Sequence, residues 1–176
     1  MADVKSFDMK DIDNWYQMVR AGDELILSGT IYTARDAAHK RILKAIHAGE
    51  ALPFPLGGTA IYYAGPTPAK HGLPIGSCGP TTSSRMDPYV PILSSLGLRA
   101  TIGKGDRSDA VYEALKTYGG IYLCALGGAG ALGAKSVVSC EVIAYNDLGC
   151  ESIKRLQIKD FPLFVGIDFL GNSIFR

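Results

Sequence analysis

The sequence predicts an α/β domain built on a mixed sheet, and three observations carry that prediction. Short apolar runs of strand type alternate with segments of helical period. Further strand-like pieces follow one another near the end of the chain, where no helix separates them. Glycine is abundant, at 21 residues, and clusters between the elements rather than inside them. A length of 176 residues suits one domain, with no internal repeat, low-complexity tract or linker to divide it.

Taken in order, residues 10–20 read as a short amphipathic helix that ends at Ala21-Gly22, with Trp15 packing it onto the core. Residues 1–21 are thus expected to be a helical extension of the domain. Glu24 to Tyr32 is rich in Leu, Ile and Tyr and reads as a strand broken at Gly29. From Arg35 to Ala48 the period becomes helical, since Ala38, Ile42, Ala45 and Ile46 share a face. Thr33 is the expected cap, Asp36 suits the positive end of the helix dipole, and Gly49 is the stop. Ala60 to Ala64 is a short strand between turn-rich loops. Asp87 and Pro88 open a helix as N-cap and first residue, and Gly97 closes it. Leu98 to Ile102 is a strand; Ser108 caps a helix that runs to Tyr118 and stops at Gly119; Ile121 to Leu126 is a buried strand. Ser136 to Tyr145 is β-branched and reads as strand. The tail from Arg155 to Phe175 alternates strand with turns at Asp160-Phe161-Pro162 and Leu170-Gly171-Asn172.

Composition excludes several functions. A net charge of +1 argues against electrostatic capture of nucleic acid or of a membrane surface, so any positive potential has to be local. No apolar run reaches the roughly 18 residues that a membrane span needs. The segment Met1 to Lys10 is polar and mixed in charge, unlike a signal peptide, and a cytoplasmic protein is expected. Cys78, Cys124, Cys140 and Cys150 form no CxxC pair and have no His at zinc spacing; they read as reduced, partly buried thiols and hold no metal. Gly128-Ala129-Gly130-Ala131-Leu132-Gly133 satisfies GxGxxG after a strand. A dinucleotide turn needs a helix there, whereas Lys135-Ser136-Val137-Val138-Ser139 favours strand, so close backbone packing or a site-shaping loop is the expected use.

Chemistry concentrates in three cationic loops. Gly79-Pro80-Thr81-Thr82-Ser83-Ser84-Arg85-Met86-Asp87 combines turn formers, hydroxyls and an arginine; Thr33-Ala34-Arg35-Asp36 and Gly103-Lys104-Gly105-Asp106-Arg107-Ser108 echo it. Arg grips a carboxylate through two parallel hydrogen bonds, and loops at strand ends and helix starts add amide donors. Such a set suits a small dicarboxylate, although solvated surface cations and local turn hydrogen bonds account for the same residues when each is taken singly.

The run Ser28-Gly29-Thr30-Ile31-Tyr32-Thr33-Ala34-Arg35-Asp36-Ala37-Ala38-His39-Lys40 resembles the opening motif of the iron–sulfur-dependent hydro-lyases, the class I fumarases and L-tartrate dehydratases. Tyr62 to Ala69, Gly79 to Asp87, Gly103-Lys104-Gly105, Gly127 to Leu132 and Asp160-Phe161-Pro162 continue the match in order, over about residues 22–175. The resemblance is to the β subunit, equivalent to the C-terminal domain of single-chain fumarases. It implies a swivelling β/β/α-type fold and a [4Fe–4S] cluster held by a separate α subunit, with none bound by this chain alone. It implies that Arg35, Arg85, Lys104 and Thr82 bind the substrate, that Thr81 is the catalytic base at C3 of malate, and that Asp36, His39 and Asp87 orient the arginines or relay a proton. Cys78 stands where a small or aromatic residue is expected, and is not expected to be a ligand. The reading is a β subunit that interconverts fumarate and (S)-malate, with L-tartrate dehydration as the nearest alternative and a binding module without chemistry as the second. The resemblance also implies an α-subunit partner, with self-association when that partner is missing. His47 and His71 are expected at the surface.

Overall fold

Five strands close on themselves, and two more branch from the ring. The computed structural model describes residues 3–125 and 130–176. The order of strands is β1 (Lys5–Asp8), β2 (Glu24–Thr33), β3 (Ala60–Tyr62), β4 (Ala100–Gly103), β5 (Ile121–Cys124), β7 (Ile153–Ile167) and β6 (Val137–Ala144), with β7 also paired to β2. From β2 through β5 the pairs are parallel, whereas β7 runs antiparallel to β5, to β6 and to the whole of β2. Each long strand serves two neighbours on one edge. β2 meets β1 at Leu25–Ser28 and β3 at Tyr32–Thr33. β7 meets β6 at Ile153–Ile158 and β5 at Phe164–Ile167. The mixed sheet expected from the sequence is therefore present, and it is closed, which removes free edges from the ring.

Closure follows from bends written into two strands. Gly29 has φ 115° and faces a register shift against β7, where Asp160 takes φ 54°. The bend is absorbed as a β-bulge, and the Asp160 amide donates to Ser28 Oγ at 3.0 Å. The break expected at Gly29 and the turn expected at Asp160-Phe161-Pro162 are thus bulges inside continuous strands.

Strand residues alternate between two buried faces, which is why the short strands read as unbroken apolar runs. Ala60, Tyr62, Ala100, Ile102, Ile121, Leu123, Leu156 and Val165 fill the ring. Ile61 and Tyr63 point the other way, onto helix α2 (Asp36–His47) and α3 (Val90–Ser95). Tyr122 and Cys124 meet α4 (Asp109–Tyr118). Gly49, Gly97 and Gly119 end or follow these helices at positive φ, as expected.

The N-terminal segment departs from expectation. Residues 5–8 form β1, and the helix expected over 10–20 shrinks to a 3₁₀ turn at Met9–Asp11 and a single α turn, α1 (Ile12–Trp15). Trp15 is buried and stacks on Phe7 at 4.5 Å, so packing rather than helical period fixes this segment. The helix at Asp87 also begins earlier, as a 3₁₀ turn over Ser83–Tyr89 with Pro88 inside it. Thr33 does not cap α2: Arg35 is the N-cap residue, and Thr33 Oγ1 instead accepts from the Lys154 amide at 3.1 Å. Strand β5 is described to Cys124, and Leu126 lies outside the described residues.

Candidate active site

Three parallel strands end on one side of the ring, and two of them lead into the cationic loops. Arg35 follows β2, Gly65 follows β3 and Lys104 follows β4. Carboxyl ends of parallel strands are where ligands gather in such sheets. The loop between β3 and β4 comes back to the same place. The Thr81 amide donates to Tyr63 O at 2.7 Å, Thr82 bridges to Lys104 in parallel fashion, and the Ser83 amide donates to Lys104 O at 3.0 Å. Ser83 Oγ accepts from the Lys104 amide at 3.0 Å and lies 2.9 Å from Tyr122 OH, which donates to Gly105 O. Gly103 is required here, because a Cβ would lie 1.9 Å from Ser83 Oγ.

Arg85 enters this corner by its side chain and Lys104 by its backbone, and Arg35 is linked to it through Asp36. Arg85 Nη2 donates to Thr81 Oγ1 at 2.6 Å, and the same nitrogen lies 3.5 Å from Asp36 Oδ2. Arg35, one residue before Asp36, lays its side chain over Gly65, where a Cβ would come 3.0 Å from Nη1 and 3.1 Å from Cδ. Its Nε lies 3.9 Å from Glu151 Oε1 and is buried, with no hydrogen-bond partner among the described residues. Thr82 and Arg85 are exposed, and Arg35, Asp36, Thr81 and Lys104 are half-buried, so the cluster opens to one side.

His39 is held beneath it. Arg35 O accepts from both the His39 amide, at 2.9 Å, and Nδ1, at 2.8 Å. A carbonyl only accepts, so Nδ1 carries the proton and Nε2 is the bare nitrogen. Burial pushes the imidazole down to about 4, which leaves it neutral near pH 7. It acts on Arg35 through the backbone, between the rings of Tyr63 and Tyr89.

Asp87 departs from its expected place beside Arg85. Its Oδ1 accepts from Arg107 Nε at 2.6 Å and its Oδ2 from the Ser108 amide at 2.6 Å, so it fastens the start of α4. Arg107 is the polar residue that sequence reasoning missed. Its side chain is 0% exposed, donates to Thr101 Oγ1 and Tyr63 OH, and lies over the rings of Tyr63 and Tyr122. An Arg flanked by Asp106 and Ser108 looks like a surface cation, and only its distant partners mark it as buried. Glu151, half-buried, was missed as well, because Arg35 and Ala37, which it faces, lie more than a hundred residues away. His47 and His71 are exposed, as expected.

The glycine motif serves the loop that carries Thr81. Gly128 and Ala129 lie outside the described residues. Gly130 begins a six-residue helix, α5 (Gly130–Lys135), where a glycine-rich loop leading into strand was expected, and β6 follows it. Cys78 donates its amide to Gly130 O at 2.9 Å, and Cβ atoms on Gly130 and Gly133 would lie 2.1 Å from Ser77 Oγ and 2.4 Å from Cys78 O. Close packing against the segment leading to Thr81 accounts for these two glycines.

The thiols do not assemble. Cys78 and Cys124 are buried, and burial raises their thiols to about 12 and about 11. Among the described residues, no group of three or more His, Cys, Asp or Glu side chains is placed to hold a metal.

This domain, whose closed sheet is followed by Arg35 after β2 and Lys104 after β4, with Arg85 hydrogen-bonded to Thr81 in the loop between β3 and β4, matches the family described as Fumarase C-terminus over residues 2–176. The chain belongs to that family. It is 41% identical over 170 residues to the anaerobic class I fumarate hydratase of Escherichia coli K12, covering 96% of this chain and 31% of the relative. It is 42% identical over 154 residues to mitochondrial fumarate hydratase 1 of Leishmania major, covering 86% of this chain and 28% of the relative. A Methanocaldococcus jannaschii protein named as a candidate L(+)-tartrate dehydratase β subunit is 39% identical over 164 residues, covering 90% of this chain and 84% of the relative. The chain thus spans about a third of each fumarate hydratase and most of the β-subunit-type relative.

Proposed function

We propose that this chain is the β-type component of a hydro-lyase that interconverts fumarate and (S)-malate. Its part is to clamp the two carboxylates and to carry the proton at C3. The observation behind this reading is the 2.6 Å hydrogen bond from Arg85 Nη2 to Thr81 Oγ1, in a corner that also collects Arg35, Asp36 and Lys104. Arg35, Arg85 and Lys104 bind the carboxylates, with Thr82 beside them, because guanidinium forks match carboxylate geometry. Thr81 Oγ takes the C3 proton of malate and returns it in hydration. A threonine hydroxyl is a weak base by itself, and a guanidinium donating to its oxygen stabilises the alkoxide form. Asp36 holds Arg85, and His39 holds the backbone of Arg35.

Loss of the C2 hydroxyl calls for a second centre. The iron–sulfur cluster implied by the resemblance finds no fitting ligand set among the described residues, since their thiols are dispersed and the buried ones are held protonated. An α-type partner chain is the proposed carrier, and the open side of the corner is where it approaches. The near-complete coverage of the β-subunit-type relative supports this division. That relative also favours a second reading, L-tartrate dehydration on the same clamp. Four free cysteines suit a reducing compartment, in keeping with a cytoplasmic location.

Co-expression with an α-type chain, anaerobic reconstitution and turnover assays with (S)-malate and L-tartrate test the proposal. Malate turnover that is lost in Thr81→Ala supports it. Tartrate turnover alone moves the assignment to the second reading, and full activity of Thr81→Ala would leave the chain as a binding module.

A further inference from the structure

Arg35 is the cation of the clamp with an unexplained buried atom. Nε has no hydrogen-bond partner among the described residues, and the opposite charge beside it is Glu151, at 3.9 Å. Both side chains are largely covered, at 27% and 30% exposed, so this is not a freely solvated pair. Glu151 Oε1 also faces the Ala37 amide in the first turn of α2, at 3.5 Å.

Glu151 is itself braced. It ends the 3₁₀ segment Asn146–Glu151, where Tyr145 and Gly149 take positive φ. Lys154, on β7, is buried and aims its ammonium back into that segment. Nζ donates to Ser152 Oγ at 2.8 Å, Cys150 O at 3.1 Å, Ser152 O at 3.3 Å and Gly149 O at 3.4 Å. One cation thus gathers the carbonyls on both sides of Glu151. The other end of the segment is tied to the same helix, because Asp147 pairs with Arg41 of α2 through both carboxylate oxygens and Arg41 lies over the Tyr145 ring. The segment therefore grips α2 at its first turn and again one to two turns later. Cys150 O also lies near Gly65, over which Arg35 passes.

We infer that Glu151, anchored by Lys154, is a positioning residue for Arg35: it accepts from Nε and leaves both Nη groups free to fork onto a substrate carboxylate. Apo geometry is often loose at such pairs and tightens when the ligand arrives, which accounts for a separation longer than a hydrogen bond. The inference rests on the carboxylate-clamp reading and adds to it a residue from a distant segment.

Two experiments separate the inference from that reading. The first uses this chain alone. Phenylglyoxal bonds to both Nη groups of an arginine, and a carboxylate that holds Arg35 in one orientation over Gly65 restricts the reagent's approach, so Glu151→Gln speeds modification at Arg35 several-fold by mass spectrometry, with Arg20 unchanged as internal control. An unchanged rate at Arg35 overturns the inference whatever the enzyme does. The second uses the reconstituted α/β complex. Glu151→Gln, which keeps size and shape, raises KM for the dicarboxylate about tenfold with kcat within about twofold, because a positioning group displaced by a fraction of an ångström weakens binding by that order. Glu151→Asp recovers part of the loss, and Lys154→Met moves KM the same way while also lowering Tm. A lower Tm for Glu151→Gln with KM unchanged makes the residue structural only and refutes the positioning role. A wild-type complex inactive on both malate and tartrate fails the functional reading but leaves the modification result standing.

Discussion

Gly65→Ala should damage the site while sparing the fold. Gly65 carries no left-handed backbone angle, so alanine meets no conformational strain there. What it meets is Arg35: the new methyl would lie 3.0 Å from Nη1, 3.1 Å from Cδ and 3.4 Å from Cys150 O. Carbon atoms rest about 3.5–4.0 Å apart, so the side chain has to move by about half an ångström or more. An arginine can yield where a backbone cannot, and the cost falls on the direction of the guanidinium. Misplacement by about 1 Å costs on the order of 100-fold in rate, so a loss of about tenfold in kcat/KM is expected for half that shift. Stability should change by less than about 0.5 kcal/mol, or about 2 °C in Tm. The assay is malate turnover by the anaerobic α/β complex beside a thermal melt of this chain. Wild-type kcat/KM in the variant would refute the placement of Arg35 in the clamp, and a Tm lower by about 10 °C would show that the methyl strikes the frame instead.

The remaining expectations concern neighbouring groups. Asp87→Asn removes the charge that neutralises Arg107 in a buried pair, and should cost about 3–5 kcal/mol in chemical denaturation of this chain. Gly103→Ala places a methyl 1.9 Å from Ser83 Oγ and 2.9 Å from a ring carbon of Tyr63, so unlike Gly65→Ala it should lower Tm clearly, by about 5 °C or more. Thr81→Ala should lower kcat at least about 100-fold with Tm unchanged, while Thr81→Ser keeps a large part of the rate. His39 gives a pH dependence of stability. Its folded value is about 4 against an ordinary 6.5, so between these the unfolded chain binds a proton that the folded chain refuses. Stability therefore falls as pH drops through that window, by up to about 3 kcal/mol, and urea midpoints in His39→Gln should lose that part of the slope.

How much of this was legible depended on the reach of each interaction. Helices α2 and α4 could be read because Ala38, Ile42 and Ala45, or Val111, Ala114 and Leu115, carry their period locally. The strands β3 to β5 could be read because both of their faces are buried. β1 could not, since Lys5-Ser6-Phe7-Asp8 has no pattern of its own and becomes strand by pairing with Leu25–Ser28. Nor could closure of the sheet, because β2 meets β7 across more than a hundred residues of chain. Arg35, Arg85, Lys104 and Thr81 stood out because they sit in loops rich in glycine and hydroxyls, and the structure links Arg85 to Thr81 and Asp36, and Lys104 to Thr82 and Ser83. Arg107 and Glu151 stood out by nothing local, and Asp87 was read as a helix cap near Arg85 because its true partner lies twenty residues further on.

The ring shuts only when residues 153–167 lie down against residues 24–33. Every group in the clamp reading lies earlier in the chain, yet Glu151, which faces Arg35, is made more than a hundred residues after it. A nascent polypeptide would already contain the arginines, the lysine and the threonine without yet having the pocket corner. The slow search for so distant a pairing makes folding late and cooperative, and it withholds a competent surface from any partner until the whole barrel exists.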